Sequence, residues 1–234
     1  MHKSAEQVNS DLKRLIEEAK LVNPNLVKRL QYIQSWVSKK KPGLIKSKKH
    51  LMQFLEELIT FTDNWLKIQY LPAEDRELVF ATLPQCERYW YEHLFPEWIN
   101  ERDPKIEIWK QKLLDGSFAG SDAPRISGIR QQIEKRGGDS FSPYIADLSM
   151  ATDIIAVGSR GKPLCVQITT LRRELTDNKQ DKWLKTLKHW KIEKGLFMNF
   201  IPTLSNVNFK IAYCILEHSD LNQDSCYCLA IDTN

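Results

Sequence analysis

The side chains best placed for chemistry in this 234-residue chain lie between Thr152 and Thr170, in the run TDIIAVGSRGKPLCVQITT. An apolar segment opens with Asp153 (Asp-Ile-Ile-Ala-Val), breaks at Gly158-Ser159-Arg160-Gly161 and resumes as Pro-Leu-Cys-Val-Gln-Ile-Thr-Thr. That pattern predicts two antiparallel strands joined by a short turn. Period-two alternation puts Cys165, Gln167 and Thr169 on one face of the second strand and Val166 and Ile168 on the other. An amide and a hydroxyl therefore point together. If the first strand brings Asp153 alongside, three polar groups meet on one surface, and interior polar groups must find a partner or a task.

Other reactive side chains have plainer readings. The five cysteines, Cys86, Cys165, Cys214, Cys226 and Cys228, are an odd number, and the last four fall in strand-like apolar runs where a free thiol packs as a small hydrophobe. Cys226 and Cys228 stand one residue apart with no second pair, which is poor evidence for zinc. None of the five histidines forms an i,i+4 pair or adjoins a candidate carboxylate, which disfavours a histidine-ligated metal site. Asp147, ahead of the hairpin, could be a second metal ligand or a turn residue, and Ser149 after it favours the turn. Arg172 and Arg173 leave the second strand just past Thr169, placed to grip phosphate or simply exposed at a strand end.

Charge is uneven along the chain. The net charge of +4 does not declare a nucleic-acid protein, but Lys28, Arg29, Lys39, Lys40, Lys41, Lys46, Lys48 and Lys49 follow one another without an Asp or Glu. Tyr32 and Trp36 lie among them. Lys39, Lys40 and Lys41 are the candidate phosphate contacts, since neutralised phosphates release counterions and aromatic rings stack on bases. A solvated basic connection between helices, with Tyr32 and Trp36 on a buried stripe, accounts for the same residues.

The elements that must position these groups divide near residue 120. Val8, Leu12, Leu15, Ile16 and Ala19 recur at helical spacing until Asn23-Pro24-Asn25, and Leu26, Leu30, Ile33 and Val37 make a second stripe. An apolar helix is expected from Leu51 to Ile68, with Pro72 opening another; Pro84, Pro96 and Pro104 punctuate shorter segments rich in Trp90, Trp98 and Trp109. Residues 1–120 are thus a helical region. After the loop at Gly116 to Pro124 the pattern mixes α and β: a helix from Ile126 to Lys135 closed by Gly137-Gly138, the hairpin, and a helix from Asp177 to Glu193 with Trp183, Leu184, Leu187 and Trp190 on its apolar side. Strands are expected at Gly195 to Ile201, Phe209 to Leu216 and Cys226 to Ile231.

That order of elements, with Asp153 opening one hairpin strand and Gln167-Ile168-Thr169 in the next, resembles the PD-(D/E)XK, or restriction-endonuclease-like, nuclease superfamily over residues 121–234. The resemblance implies an α+β fold with a central mixed sheet flanked by helices, and a site that binds Mg²⁺ or Mn²⁺ and activates water. It assigns the motif acid to Asp153, the acid-or-Gln position to Gln167, the lysine position to Thr169 and a helix carboxylate to Glu134. Asp153, Gln167 and Glu134 are then the metal ligands, with the Ile168 carbonyl as a further one. A phosphodiester is anionic, so its hydrolysis needs charge neutralised at the non-bridging and leaving oxygens, which a metal held by hard oxygen ligands supplies. Thr169 departs from the pattern because it carries no positive charge. Lys162, Lys179 and Lys182 could each reach in, and Lys182, beside the buried-by-pattern Trp183, is the preferred one.

Two function classes follow: a divalent-metal-dependent nuclease acting on DNA or RNA, or a nuclease-fold module without catalysis that binds nucleic acid or a protein partner. There is no run of about eighteen uncharged apolar residues and no signal or transit peptide pattern, so a cytoplasmic protein without a membrane partner is expected.

Overall fold

The computed structural model describes residues 3–40, 48–116, 118, 123–170, 173–201, 206–221 and 225–231, with the backbone alone for 173–177 and 230–231. The chain folds as two compact units, Met1–Leu83 with Tyr91–Ala119, and Pro84–Trp90 with Gly120–Asn234. No helix among the described residues is long and apolar enough to cross a membrane.

The first unit is helical: α1 (Ala5–Ala19), α2 (Pro24–Ser38), α3 (Lys49–Gln69) and α4 (Ala73–Thr82), then, after α5 (Gln85–Tyr89) of the second unit, α6 (Phe95–Asn100) and α7 (Ile106–Asp115). Local signals start the first two helices. Ser4 Oγ accepts the Gln7 N–H at 3.1 Å while Gln7 Oε1 accepts the Ser4 N–H at 2.7 Å, a reciprocal cap. Asn23 Oδ1 takes the N–H groups of Asn25 and Leu26, with Pro24 pre-set for the first turn. The expected stripes are the buried ones, joined by Trp36, whereas Tyr32 is 40% exposed. Trp109 packs against Trp36 and Phe54, and Phe95 stacks on Trp98, so these indoles form the core of this unit.

The second unit opens its contiguous part with α8 (Ala123–Glu134), closed by Gly137 in the left-handed region and the Gly138 N–H on the Ile133 carbonyl. Then follow β1 (Asp139–Phe141), α9 (Tyr144–Met150), β2 (Ile154–Val157), β3 (Leu164–Thr169), α10 (Arg173–His189), β4 (Gly195–Phe200), α11 (Val207–Asp220) and β5 (Cys226–Ile231). The fold is mixed α+β. The sheet order is β1-β2-β3-β4-β5, antiparallel between the first three strands and parallel between the last three. Parallel neighbours require a crossover, which α10 and α11 supply. One sheet face, with Ile154, Ala156, Val166 and Met198, packs on Ile129 and Ile133 of α8 and on Ile211 and Ile215 of α11. The other face receives α10: the Trp183 ring lies 5.5 Å from Phe197, and a Cβ on Gly195 would come within 2.4 Å of Leu187.

Phe209 to Leu216, expected as a strand, is the middle of helix α11. Its buried residues, Val207, Ile211, Ala212, Ile215 and Ser219, follow a helical stripe, and Phe209 and Tyr213 are half exposed. A short apolar run does not distinguish the two periods; the crossover between parallel β4 and β5 does. Two further elements, β1 and α9, were not expected, and Leu184 is 36% exposed rather than on the apolar side of α10. Residues 84–90 pack with the second unit: the Cys86 N–H donates to Asp139 Oδ2 at 2.8 Å, and Trp90 meets Phe141.

The β2–β3 connection is anchored to the end of α11. The Gly158 N–H donates to Ser219 Oγ at 2.6 Å and the Arg160 N–H to Asp220 Oδ1 at 3.2 Å. Buried Lys194 donates to the carbonyls of Ser219 and Leu221, the end of a helix where a cation is favoured. These ties fix the hairpin register and so set the start of β2 beside the end of β3.

Candidate functional site

Asp153 lies one residue before β2, and its N–H donates to the Val166 carbonyl at 2.8 Å. Pairing of Ile154 with Val166 carries Asp153 to the side of Gln167. There Asp153 Oδ2 accepts two N–H groups, from Gln167 Nε2 at 2.6 Å and from the Ile168 backbone at 2.6 Å. Both are hydrogen bonds to an ionised acceptor, the stronger kind. The Gln167 amide nitrogen also reaches the Ile168 carbonyl at 3.4 Å. Asp153 and Gln167 are half-buried; Thr169 is buried at 6% exposure and its Oγ1 receives Lys179 Nζ at 2.9 Å. Carboxylate, amide, hydroxyl and ammonium therefore line one sheet face at the carboxyl end of β3, beneath α10. The parallel register sets Asn199 of β4 beside Thr169 on the same face, a polar neighbour that the sequence reading passed over.

The lysine at Thr169 is Lys179, and Lys182, the sequence-based choice, is exposed on α10. Helical geometry explains the difference. Lys179 precedes Trp183 by four residues and shares its sheet-facing stripe, whereas Lys182 is adjacent to Trp183 in sequence and about 100° away around the helix. Lys162 stands at the start of β3, the far end of the strand from Thr169.

Glu134 does not join this group. Its carboxylate accepts the Ser140 hydroxyl at 3.3 Å and lies 3.9 Å from Arg130. Ser140 pairs with Ala156, whose side chain belongs to the face packed on α8 and α11. Asp153 is three residues from Ala156, an odd step that puts it on the opposite face. The helix that carries Glu134 is therefore on the wrong side of the sheet to complete a site with Asp153.

Among the described residues no three His, Cys, Asp or Glu side chains cluster to hold a metal ion. Mg²⁺ ordinarily takes one or two protein carboxylates and fills its shell with water and substrate phosphate. Asp153 and the Ile168 carbonyl meet that minimum, with Gln167 Oε1 added if its terminal amide turns over. The donor set fits a Mg²⁺-type ion at the low end of its carboxylate count.

The two buried thiols are poor nucleophiles. Burial pushes the Cys165 thiol up to about 12, offset only in part by the Thr152 hydroxyl, and burial also raises Cys86, with Asp139 adding to it. Both are held as protonated hydrophobes. All five cysteines are free.

Of the expected nucleic-acid contacts, Lys39 and Lys40 follow the last turn of α2, where the helix dipole favours cations. Lys41 and Arg172 lie outside the described residues, as does the side chain of Arg173 at the start of α10. No known protein family, curated protein or solved structure matches this chain.

Proposed function

We propose that the second unit is a divalent-metal-dependent nuclease of the PD-(D/E)XK kind, hydrolysing phosphodiester bonds of DNA or RNA. One observation carries the reading: Lys179 brings an ammonium to Thr169, the strand position where the superfamily's lysine would stand, two residues from the Asp153–Gln167 pair. Residues two apart on a strand share a face and lie about 7 Å from each other, a span that one phosphodiester bridges. The ammonium stabilises negative charge developing on the non-bridging oxygens, and the buried Thr169 hydroxyl fixes its position. Asp153, with the Ile168 carbonyl and Gln167, holds Mg²⁺ or Mn²⁺, which when bound supplies Lewis-acid polarisation of the phosphoryl group and a more acidic water. The five free thiols fit a reducing, cytoplasmic setting.

A second reading, a nuclease-fold module that binds nucleic acid without cutting it, is favoured by a separate observation. Asp153 Oδ2 already accepts two N–H groups, so the carboxylate also serves as a strand-end cap. The two readings part on one experiment, cleavage of single- and double-stranded DNA and RNA with and without Mg²⁺ by wild type and Asp153→Asn. The nuclease reading expects metal-dependent cleavage that Asp153→Asn abolishes in a folded protein. Cleavage in neither, with nucleic-acid binding intact, establishes the second reading, and equal cleavage in both sinks the first.

A further inference from the structure

The two edges of the sheet in the second unit differ. β1 has three residues, and α5 lies against it through the Cys86 N–H on Asp139 Oδ2 at 2.8 Å. β5, at the other edge, has six, Cys-Tyr-Cys-Leu-Ala-Ile, and among the described residues it pairs with β4 alone. Proteins usually guard such an edge with lysine, proline, a bulge or a covering element. β5 carries no charge and no proline, and its register with β4 runs without interruption from Cys226 to Ile231. Its two faces are also incompletely covered. Cys226 and Cys228 are exposed on the side of the sheet where Gly195 meets α10, and Tyr227 and Leu229 are only half-buried on the side of α11.

The β4–β5 ladder fixes which main-chain groups of the edge are unused. The Gly195 N–H donates to the Ser225 carbonyl at 3.3 Å, one residue before its register partner Cys226. Main-chain groups alternate in direction along a strand, so Ser225, Tyr227 and Leu229 turn theirs toward β4, and Cys226, Cys228 and Ala230 turn theirs outward. Three residues therefore present N–H and C=O pairs to whatever lies beside β5. In an antiparallel pair, two such residues facing each other exchange both hydrogen bonds. A twofold axis through Cys228 sets Cys228 opposite its own copy, and Cys226 opposite Ala230 of the second copy. All three outward residues then pair in a single register. No like charges oppose one another along the paired strands, because β5 has none.

We propose that β5 is a homodimer interface, at which a second copy of this chain lays its own β5 antiparallel to the first and joins the two five-stranded sheets into one. A strand of another protein would satisfy one edge. A second copy satisfies both in one isologous contact, and an uncharged strand whose outward residues are symmetric about Cys228 is complementary to itself. The inference is independent of the chemistry proposed at Asp153.

Sedimentation equilibrium of the full chain over the micromolar range tests it, with folding of each variant checked by circular dichroism. Wild type is expected at about twice the 27.3 kDa mass of one chain. Cys228→Pro removes an outward N–H without touching the ladder to β4, and should weaken dimerisation about tenfold or more through the two hydrogen bonds lost across the axis. The exposed Cys228 side chain supports a second test that leaves the backbone intact. Cys228→Lys and Cys228→Glu each set like charges opposite one another and should be monomeric alone, whereas an equimolar mixture of the two should form a heterodimer. A short bismaleimide should join two wild-type or Cys226→Ser chains, and should join no Cys228→Ser chains. Asp153→Asn should dimerise as wild type does. The inference is overturned by a wild type that stays monomeric, whatever else covers the edge. Folded Cys228→Lys that dimerises as tightly as wild type would overturn it equally, as would a cross-link that persists in Cys228→Ser.

Discussion

Thr169 stands where the resembled superfamily carries its lysine, and the charge arrives instead from ten residues further on. Lysines at 179 and 182 look interchangeable along the chain, but only Lys179 shares the stripe of Trp183, and the structure brings its ammonium to Thr169 Oγ1. That Gln167 and Thr169 share a face was legible from strand alternation over LCVQIT, and the hairpin pattern brought Asp153 beside Gln167. The place of Glu134 was not legible, because sequence alone cannot say which sheet face a preceding helix covers. On the proposed nuclease reading, Lys182→Met is therefore expected to keep cleavage within about twofold of wild type, since it removes only a solvated charge; a large loss in initial rate would return the role to Lys182. The thiols make a second residue-scale test. At pH 8, well below the Cys165 value of about 12, its thiol is almost wholly protonated as well as buried. Iodoacetamide followed by peptide mass spectrometry should label exposed Cys226 and Cys228 long before Cys165 or Cys86. Early labelling of Cys165 in folded protein would contradict its burial.

Element by element, the strongly periodic helices and the strands β2 to β5 could be read from the sequence, whereas the short elements β1 and α9 and the helix α11 could not. β1 has three residues and α9 seven, with no side-chain cap to announce the helix, so neither carries enough period to stand out. The run from Phe209 to Leu216 is apolar on more than one side and fits a strand as well as a helix until topology decides. Truncations distinguish the two forms in solution. In helix α11, Ile211→Ala and Ile215→Ala should each cost about 2–5 kcal/mol, whereas Tyr213→Ala, half exposed, should stay within about 0.5 kcal/mol. Equal costs at 211, 213 and 215, measured by urea denaturation, would indicate a strand with one buried face. Gly195 is a second checkpoint. A methyl there meets Leu187 and Trp183 of α10, so Gly195→Ala should destabilise by about 1–3 kcal/mol through overpacking. An unchanged denaturation midpoint would mean that α10 packs on the sheet differently.

At the scale of the molecule, the change from helical to mixed pattern near residue 120 is visible in composition, but the membership of residues 84–90 is not, since it depends on a contact between Cys86 and Asp139 over 53 positions of chain. The net charge of +4 leaves little general attraction for a polyanion, so function must rest on local constellations. The one proposed for catalysis depends on an ammonium reaching a strand position from a helix, and that dependence can be reversed. The direct measurement is the Mg²⁺-dependent cleavage rate of wild type, Lys179→Met and the double variant Lys179→Met/Thr169→Lys, with folding checked by circular dichroism. Loss of the ammonium should lower the rate by about 10²–10³, the usual cost of removing one transition-state charge partner, and a lysine restored on the strand itself should recover much of it. A Lys179→Met protein that cuts at the wild-type rate would contradict the account.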